Sequence, residues 1–452
     1  MAIAAGPQTP SDGPPVRALE APLTLVDAPP RLLGLADQTV LWGNLGVSLL
    51  LPVTATFILT PDPGVAPLSL AAALSAIVVG SLIGNLLLGL GALPGAETGA
   101  PAMVLLRGLL GRRGSYLPTA LNLAQCVGWA TFEVVIIGEA AARLTDESLR
   151  WVFIVLAGVV ATGMAIRPLA AVRTLRRYVI WLVIASTVYL FVQVLREPLP
   201  GFGDGSWDGF WTSTDLVIAL PVSWIPLAAD YSRHSRSGRD AFLGAFAGYA
   251  LAGWAFFTLG VLALAGLGLE PGFDVIDALL AVPAGAIALL ILVIDEVDEA
   301  FANVYSTAVS VQNLAPRLDR RVLAVAVGAL AIVLGLSIDI VGYESFLFLI
   351  GAVFVPLAAT FIVAYYVLDA RRWDVSDDAP ARWEMLLPWV AGFVVYQLIA
   401  PSPIDWWARW WLARQDDLHF TPEPWMSASI MSFVVAAVLA LVVGTAAKRV
   451  RR

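Results

Sequence analysis

Apolar stretches of about twenty residues recur from residue 38 to residue 447, and they leave few architectures open. Each is long enough to cross a hydrocarbon core of roughly 30 Å as a helix. Hydrophobic residues make up 59% of the 452 positions and charged residues only 14%, too little polar surface to cover a soluble globule of this size. Backbone inside a membrane must satisfy its own hydrogen bonds, which leaves helices or closed barrels. The period-two alternation of a membrane barrel is absent, and Leu, Ala, Val and Ile fill continuous runs. The expected class is an all-α polytopic membrane protein that sits among lipid.

Twelve spans are expected, at 38–60, 68–93, 116–141, 151–168, 177–195, 212–233, 240–268, 280–310, 321–338, 343–369, 383–400 and 426–447. The connections alternate in basic content: 22 of the 27 Lys and Arg residues fall on one side, and Arg143, Arg150, Arg196, Arg409 and Arg414 on the other. The positive-inside rule then places both termini in the cytoplasm, in a cell (inner) membrane. Residues 1–35, rich in Pro, Ala and Gly, read as a disordered cytoplasmic tail without a signal peptide, and 448–452 as a basic cytoplasmic end. Segment 98–115 is too short and too basic to cross, and reads either as an amphipathic helix along the inner surface or as an ordinary loop. Trp406, Trp407, Trp410 and Trp411 suit an interfacial aromatic belt. A single cysteine, Cys126, and two distant histidines, His234 and His419, indicate no disulfide, redox centre or metal cage.

Charges at mid-span cost about 2.5–3.5 kcal/mol each on insertion scales and usually line an interior cavity. The eighth span, ALLILVIDEVDEAFANVYSTAVSVQNL, carries Asp295, Glu296, Asp298 and Glu299, followed by Asn303, Ser306 and Thr307. Helical spacing puts Glu299, Asn303 and Thr307 on one face with Asp295 a turn earlier, and Asp298 about 100° away from Glu299. The third span adds a polar stripe, Asn122, Gln125, Trp129 and Glu133. WGNLGVS in the first span and ALPVSWIPLAADYSR in the sixth contain helix breakers, and transporters bind substrates and ions at such breaks. Their places in the first and sixth spans are corresponding members of two five-helix halves. Asp230 and Arg233 are spaced for an i,i+3 pair that anchors or gates the sixth span.

LNLAQCVGWATFE, SWIPLAADYSR, ANVYSTAVSVQNLAP and GYESFLFLIGAVFVPLAATFIVAYYVLDAR, taken in order, resemble the nucleobase:cation symporter-1 family, especially its cytosine and hydroxymethylpyrimidine branch. The resemblance covers roughly residues 35–400. It implies a ten-helix, five-plus-five inverted-repeat core over 36–370, of the type found in sodium-coupled amino-acid symporters, with two further helices in 371–447. It also implies import of a small planar heterocycle by alternating access, with no catalytic residue, no resident metal or cofactor and no nucleic-acid partner.

By this resemblance Trp129 and Trp224 sandwich the ring, and Glu133, Gln125, Glu299, Asn303 and Asn44 hold its edge. Glu133 stands where the family commonly has glutamine, and carboxylates favour rings that present N–H and amino donors. Asp298, Asp295 and Gly46 are the ion-coupling residues. Sodium-driven relatives use hydroxyls in the eighth span where this chain has Val297 and Asp298, which favours H+ over Na+ as the coupling cation. Two other readings stay open: an amino-acid or amine transporter of the same fold, and a membrane-embedded hydrolase using Asp295 and Glu299, which lacks a nucleophile motif.

Overall fold

The computed structural model describes residues 20–61, 66–267, 274–337 and 343–450. Residues 1–19 of the expected tail, 451–452 of the basic end, and positions 268 and 338 at the ends of the expected seventh and ninth spans lie outside this set. The helices run α1 (Leu35–Asn44), α2 (Leu50–Leu59), α3 (Leu70–Thr98), α4 (Ala102–Gly114), α5 (Tyr116–Leu144) and α6 (Arg150–Ile166). They continue with α7 (Pro168–Thr174), α8 (Ile180–Val194), α9 (Phe210–Ser223), α10 (Ile225–Ser232), α11 (Gly238–Leu267), α12 (Asp274–Ala281) and α13 (Gly285–Asp295). The last are α14 (Val297–Leu314), α15 (Arg320–Gly335), α16 (Tyr343–Ile362), α17 (Leu386–Ile399), α18 (Asp405–Leu418) and α19 (Ala428–Val450).

Among the described residues eight helices are long and apolar enough to cross a membrane by themselves. The other four expected spans are shorter or interrupted: α1 with α2, α13 with α14, α15, and α17. Twelve is the number obtained when these are taken with the eight. The fifth span starts earlier than expected, because α7 continues through a π-helical turn at Leu175–Val179 into α8, so Arg173 and Arg177 ride on helix and not on a loop. Pro168 at the first helical position nucleates it, since its missing N–H would be unpaired there anyway.

Solvent preference sorts the helices into a centre and a rim. The α9–α10 segment is almost wholly buried, whereas Trp151, Leu156 and Val159 of α6, Trp181 and Val188 of α8, Val322 and Val333 of α15, and Val438 and Val442 of α19 are exposed. A rim of large exposed apolar side chains on this many helices is stable only against hydrocarbon. Close approach of α3 to α9–α10 depends on small residues: a Cβ on Gly80 would meet Val217 and the Thr214 carbonyl, and one on Gly95 would meet Ala229 and Ser232.

The arginine-rich end is built differently from the sequence expectation. Segment 98–115 does contain a helix, α4, but it is buried and not laid on the surface. The 369–384 loop covers it: Trp373 Nε1 donates to the Leu105 carbonyl, Arg382 to the Gly108 carbonyl, and Gly111, at φ 79°, abuts Pro380 and Ala381. Arg107 is buried, donating to the Asn313 side chain (2.7 Å) and pairing with Asp377 (2.7 Å). Residues 20–34 depart from the disordered tail expected there. Glu20 caps α7 through Leu169 N and Ala170 N, Arg320 N donates to the Leu23 carbonyl, and Leu32 and Leu33 N both donate to the His234 carbonyl. Polar backbone partners hold this segment, which hydropathy does not register. Burial and the neighbouring Arg233 push the His234 imidazole down to about 3, so the ring is neutral where its Nδ1 meets the Pro30 carbonyl. The expected Asp230–Arg233 pair is also different: Asp230 accepts from Ala102 N (2.9 Å), capping α4, while Arg233 donates to the Tyr305 hydroxyl (3.0 Å). An unpaired helix N-terminus lies closer to Asp230 than the arginine does, and its N–H groups take the carboxylate.

At the opposite end, α18 carries the four tryptophans beside the bundle, with Trp406 and Trp410 exposed and Trp407 Nε1 bonded to Gln397. Asp215 of α9 reaches the start of α19 and accepts from Ser427 Oγ (2.5 Å), Ala428 N (2.7 Å) and Ser429 N (3.1 Å). This N-cap, supplied from another helix, ties the last span to the centre of the bundle. Asp215→Ala orphans three donors and is expected to destabilise the detergent-solubilised protein by about 1–3 kcal/mol, read as a lower thermal midpoint. An unchanged midpoint would show that α19 is held by packing alone.

Candidate functional site

The interruption of the first span is a five-residue gap, Leu45–Leu49, between α1 and α2. Gly46 sits in it, too close to Ala252 and the Tyr249 carbonyl of α11 to accept a Cβ. In the sixth span the break is a single residue, Trp224, still near helical φ/ψ. A comparable single-residue interruption falls at Glu296, between α13 and α14, where the sequence suggested one continuous helix. The first and eighth spans dock at their interruptions. Ser48 Oγ and Leu49 N both donate to the Glu296 carboxylate (2.7 Å each), and Asn44 Nδ2 donates to Asp295 Oδ1 (3.1 Å). The physical reason is the start of α2, whose first N–H groups have no partner within the helix and carry its positive dipole end. Glu296 supplies the anion.

Glu133 of α5 approaches the same point. Glu133, Glu296 and Glu299 each offer a carboxylate oxygen, and these oxygens lie within 4.8 Å of one another. Asp295, Glu296, Asp298, Glu299 and Glu133 are all buried. Both oxygens of Glu133 and of Asp298, Oδ2 of Asp295 and Oε1 of Glu299 have no hydrogen-bond partner. Among the described residues none of the five forms an ion pair with a basic side chain. Buried carboxyl groups so arranged must be neutralised by protons or by a bound cation.

Aromatic rings surround the carboxylates in two groups. Trp129 packs edge-on against Tyr343 (6.0 Å between ring centroids) and Phe346 (5.3 Å). Trp224 packs against Trp42 (5.9 Å) and donates through Nε1 to the Tyr249 hydroxyl (2.9 Å). Tyr343 from the first group and Tyr249 from the second both lie within electrostatic range of Glu133 and Glu299. The Trp129 indole N–H is buried without a partner.

Of the other residues singled out from sequence, Gln125 is half committed: its Nε2 donates to the Ser223 carbonyl (2.7 Å), freed by the kink at Trp224, while its Oε1 is unpaired. Asn303 Nδ2 turns back to the Glu299 carbonyl of its own helix (3.1 Å). Asn44, assigned to the substrate, sits instead against Asp295, one of the ion-coupling candidates. Asp230 and Arg233 belong to the arginine-rich end and not to this cluster. Glu296, Ser48, Tyr249 and Tyr343 went unassigned; the acidic run DEVDE, the Ser of WGNLGVS and the Tyr of GYESF were visible signals for Glu296, Ser48 and Tyr343, while Tyr249 had none.

Comparison with known proteins adds the following. The family model for permeases of cytosine/purines, uracil, thiamine and allantoin matches residues 53–382. The chain is similar to the cytosine permease of Escherichia coli K12, 26% identical over 313 residues, which is 65% of this chain and 70% of that protein. Among solved structures it is similar to Mhp1, a nucleobase-cation-symport-1 family transporter in a closed conformation with bromovinylhydantoin bound. There the TM-score is 0.73 at 16% identity, covering 95% of each chain. It is also similar to a Na+-coupled sialic acid symporter in a substrate-bound outward-open state, with a TM-score of 0.61 at 11% identity over 92% of this chain and 89% of that one. At these identities the structural likeness is one of fold.

Proposed function

Because the chain belongs to the family of permeases for cytosine/purines, uracil, thiamine and allantoin, we propose that it imports a nucleobase-like heterocycle together with a coupling cation, by alternating access around the buried carboxylate cluster. It is a multi-pass membrane transporter with the inverted-repeat symporter fold, not an enzyme. The observation that carries the reading is the set of unpaired buried groups where the interrupted first, sixth and eighth spans meet the third: Glu133, the Trp129 indole and Gln125 Oε1. Unpaired polar groups at depth are costly unless a ligand completes them. Trp129 and Trp224 then face the ring, and Glu133 and Glu299 accept from its amino and N–H edge. The arginine-rich end, with both described termini, faces the cytoplasm.

The ion reading favours H+. Asp298 and Asp295 lie beside the gap in the first span, where a sodium ion would want carbonyls and hydroxyls, and the nearby hydroxyl of Ser48 already donates to Glu296. The same geometry argues against amino acids as cargo. A half-helix N-terminus is the natural seat for a substrate carboxylate, and here Glu296 fills it.

Uptake of radiolabelled cytosine into proteoliposomes, under imposed proton or sodium gradients and in competition with purines, pyrimidines and amino acids, tests this directly. Accumulation under a proton gradient, competed by aminopyrimidines and aminopurines and not by amino acids, is the expected result. If no heterocycle accumulates under either gradient, the reading fails.

A further inference from the structure

Resting on the transport reading above, we infer that the site takes its heterocycle as a cation, specifically one with an amidinium edge: a ring N–H beside an amino group on the same carbon, sharing one positive charge. Glu133 and Glu299 receive that edge between them, and the two aromatic groups cover its faces.

Charge balance is the first support. Glu133, Glu296 and Glu299 bring carboxylate oxygens within 4.8 Å of one another, and among the described residues no basic side chain pairs with them. Glu296 is already engaged by Ser48 Oγ and Leu49 N, and by the positive end of α2. It is the member of the three that the protein itself stabilises as an anion. Glu133 has two unpaired oxygens and Glu299 one, so the deficit of donors and of positive charge is on those two. A neutral dione offers one or two N–H donors and brings carbonyl oxygens into contact with carboxylates. A ring amidinium offers three N–H donors and the missing charge, in the planar fork that carboxylates bind in two-point fashion.

Independent support comes from the walls. Tyr343, packed against Trp129, and Tyr249, bonded to Trp224, both lie within electrostatic range of the same carboxylates, and the face of an aromatic ring attracts a planar organic cation. A bare divalent metal would use the three glutamates and leave the rings and the buried Trp129 N–H unexplained. One consequence is that a 4-aminopyrimidine such as cytosine binds as its ring-protonated form, so a proton enters on the substrate in addition to any carried by the aspartates.

The test compares benzamidine, planar and cationic at neutral pH, with benzamide, its neutral counterpart of nearly the same shape. Each is measured as a competitor of cytosine uptake and as a stabiliser of the purified full-length protein in thermal unfolding. Benzamidine is expected to compete at least about tenfold more strongly than benzamide, and Glu133→Gln to reduce that ratio to near one while the variant retains its unliganded thermal midpoint. Equal potency of the two probes alongside intact cytosine uptake would overturn the cation inference and leave the transport reading standing. Stabilisation by magnesium or manganese chloride, with none by benzamidine, would also overturn it in favour of a metal site. Stabilisation by benzamidine without uptake of any heterocycle would sink the transport reading and keep the cation preference of the site. If Glu133→Gln does not fold, Glu299→Gln supplies the same ratio.

Discussion

Glu296→Gln is expected to leave the protein folded and to lower the initial rate of uptake in proteoliposomes by about ten- to a hundredfold, an effect of about 1.4–2.8 kcal/mol. Both bonds of Glu296 are affected. The carboxylate accepts from Ser48 Oγ and Leu49 N, at opposite oxygens and 2.7 Å each. Glutamine keeps one acceptor and turns an amino group toward the other donor, so one buried polar group loses its partner at about 1–3 kcal/mol. The negative charge at the start of α2 disappears as well, which is worth up to about 2 kcal/mol when partly buried. The gap Leu45–Leu49 then loses its register against the eighth span, and with it the position of Glu299, one turn along α14. Glu296→Ala removes both acceptors and should be worse in uptake and lower in thermal midpoint. A Glu296→Gln variant with at least half of the parent rate would mean that the first and eighth spans are positioned by packing and not by this carboxylate.

The membrane class and the order of spans were legible because hydropathy is a property of each segment alone. Long apolar runs need no partner to be recognised, and α3, α5, α11, α16 and α19 fall where the runs fall. Acidic residues in such runs were equally plain, since a carboxylate in hydrocarbon has no bland explanation. What the residues face was not legible. Asp230 was given a partner by spacing along one helix and Asn44 was assigned to the substrate, and both bond across the bundle, to Ala102 N and to Asp295. The same limit hid the interruption at Glu296: its cause is the unpaired start of α2, some 250 residues away in sequence by the Ser48–Glu296 separation of 248. Buried α4 and the fixed segment 20–34 were missed for a related reason, as they depend on the 369–384 loop and on the His234 and Pro316 carbonyls. The resemblance to a known family supplied what spacing could not, namely the expectation that Trp129, Glu133, Glu299 and Trp224 belong to one site.

On the proposed reading the cluster serves two tasks on either side of Glu296. Glu133 and Glu299 would take the edge of the substrate, while Asp295, which accepts from Asn44 beside the gap in the first span, and Asp298 would take the cation. Coupling would then follow because substrate occupancy of the first pair and cation occupancy of the second would both bias the same interrupted helices.

Asp298→Asn should therefore separate concentration from movement. Asp298 is buried with both carboxylate oxygens unpaired, and asparagine fits its volume. A proton gradient of one pH unit supplies about 1.4 kcal/mol, enough for roughly tenfold accumulation at one proton per substrate. In the variant the side chain can no longer take up and release a proton, and the internal-to-external ratio is expected to fall below that of the parent, to the level that a proton carried on the substrate sustains by itself. Exchange of internal unlabelled for external labelled substrate needs only the loaded carrier to reorient, and should stay within about threefold of the parent, well under 1.4 kcal/mol. Asp295→Asn serves as the comparison, because Asn44 already donates to Asp295 and a rotated amide can keep that bond. Its accumulation ratio should fall less. Should Asp298→Asn still concentrate substrate to the parent level, the coupling proton does not use this carboxylate, and the charge carried on the substrate against Glu133 and Glu299 becomes the sole coupling element left in the cluster.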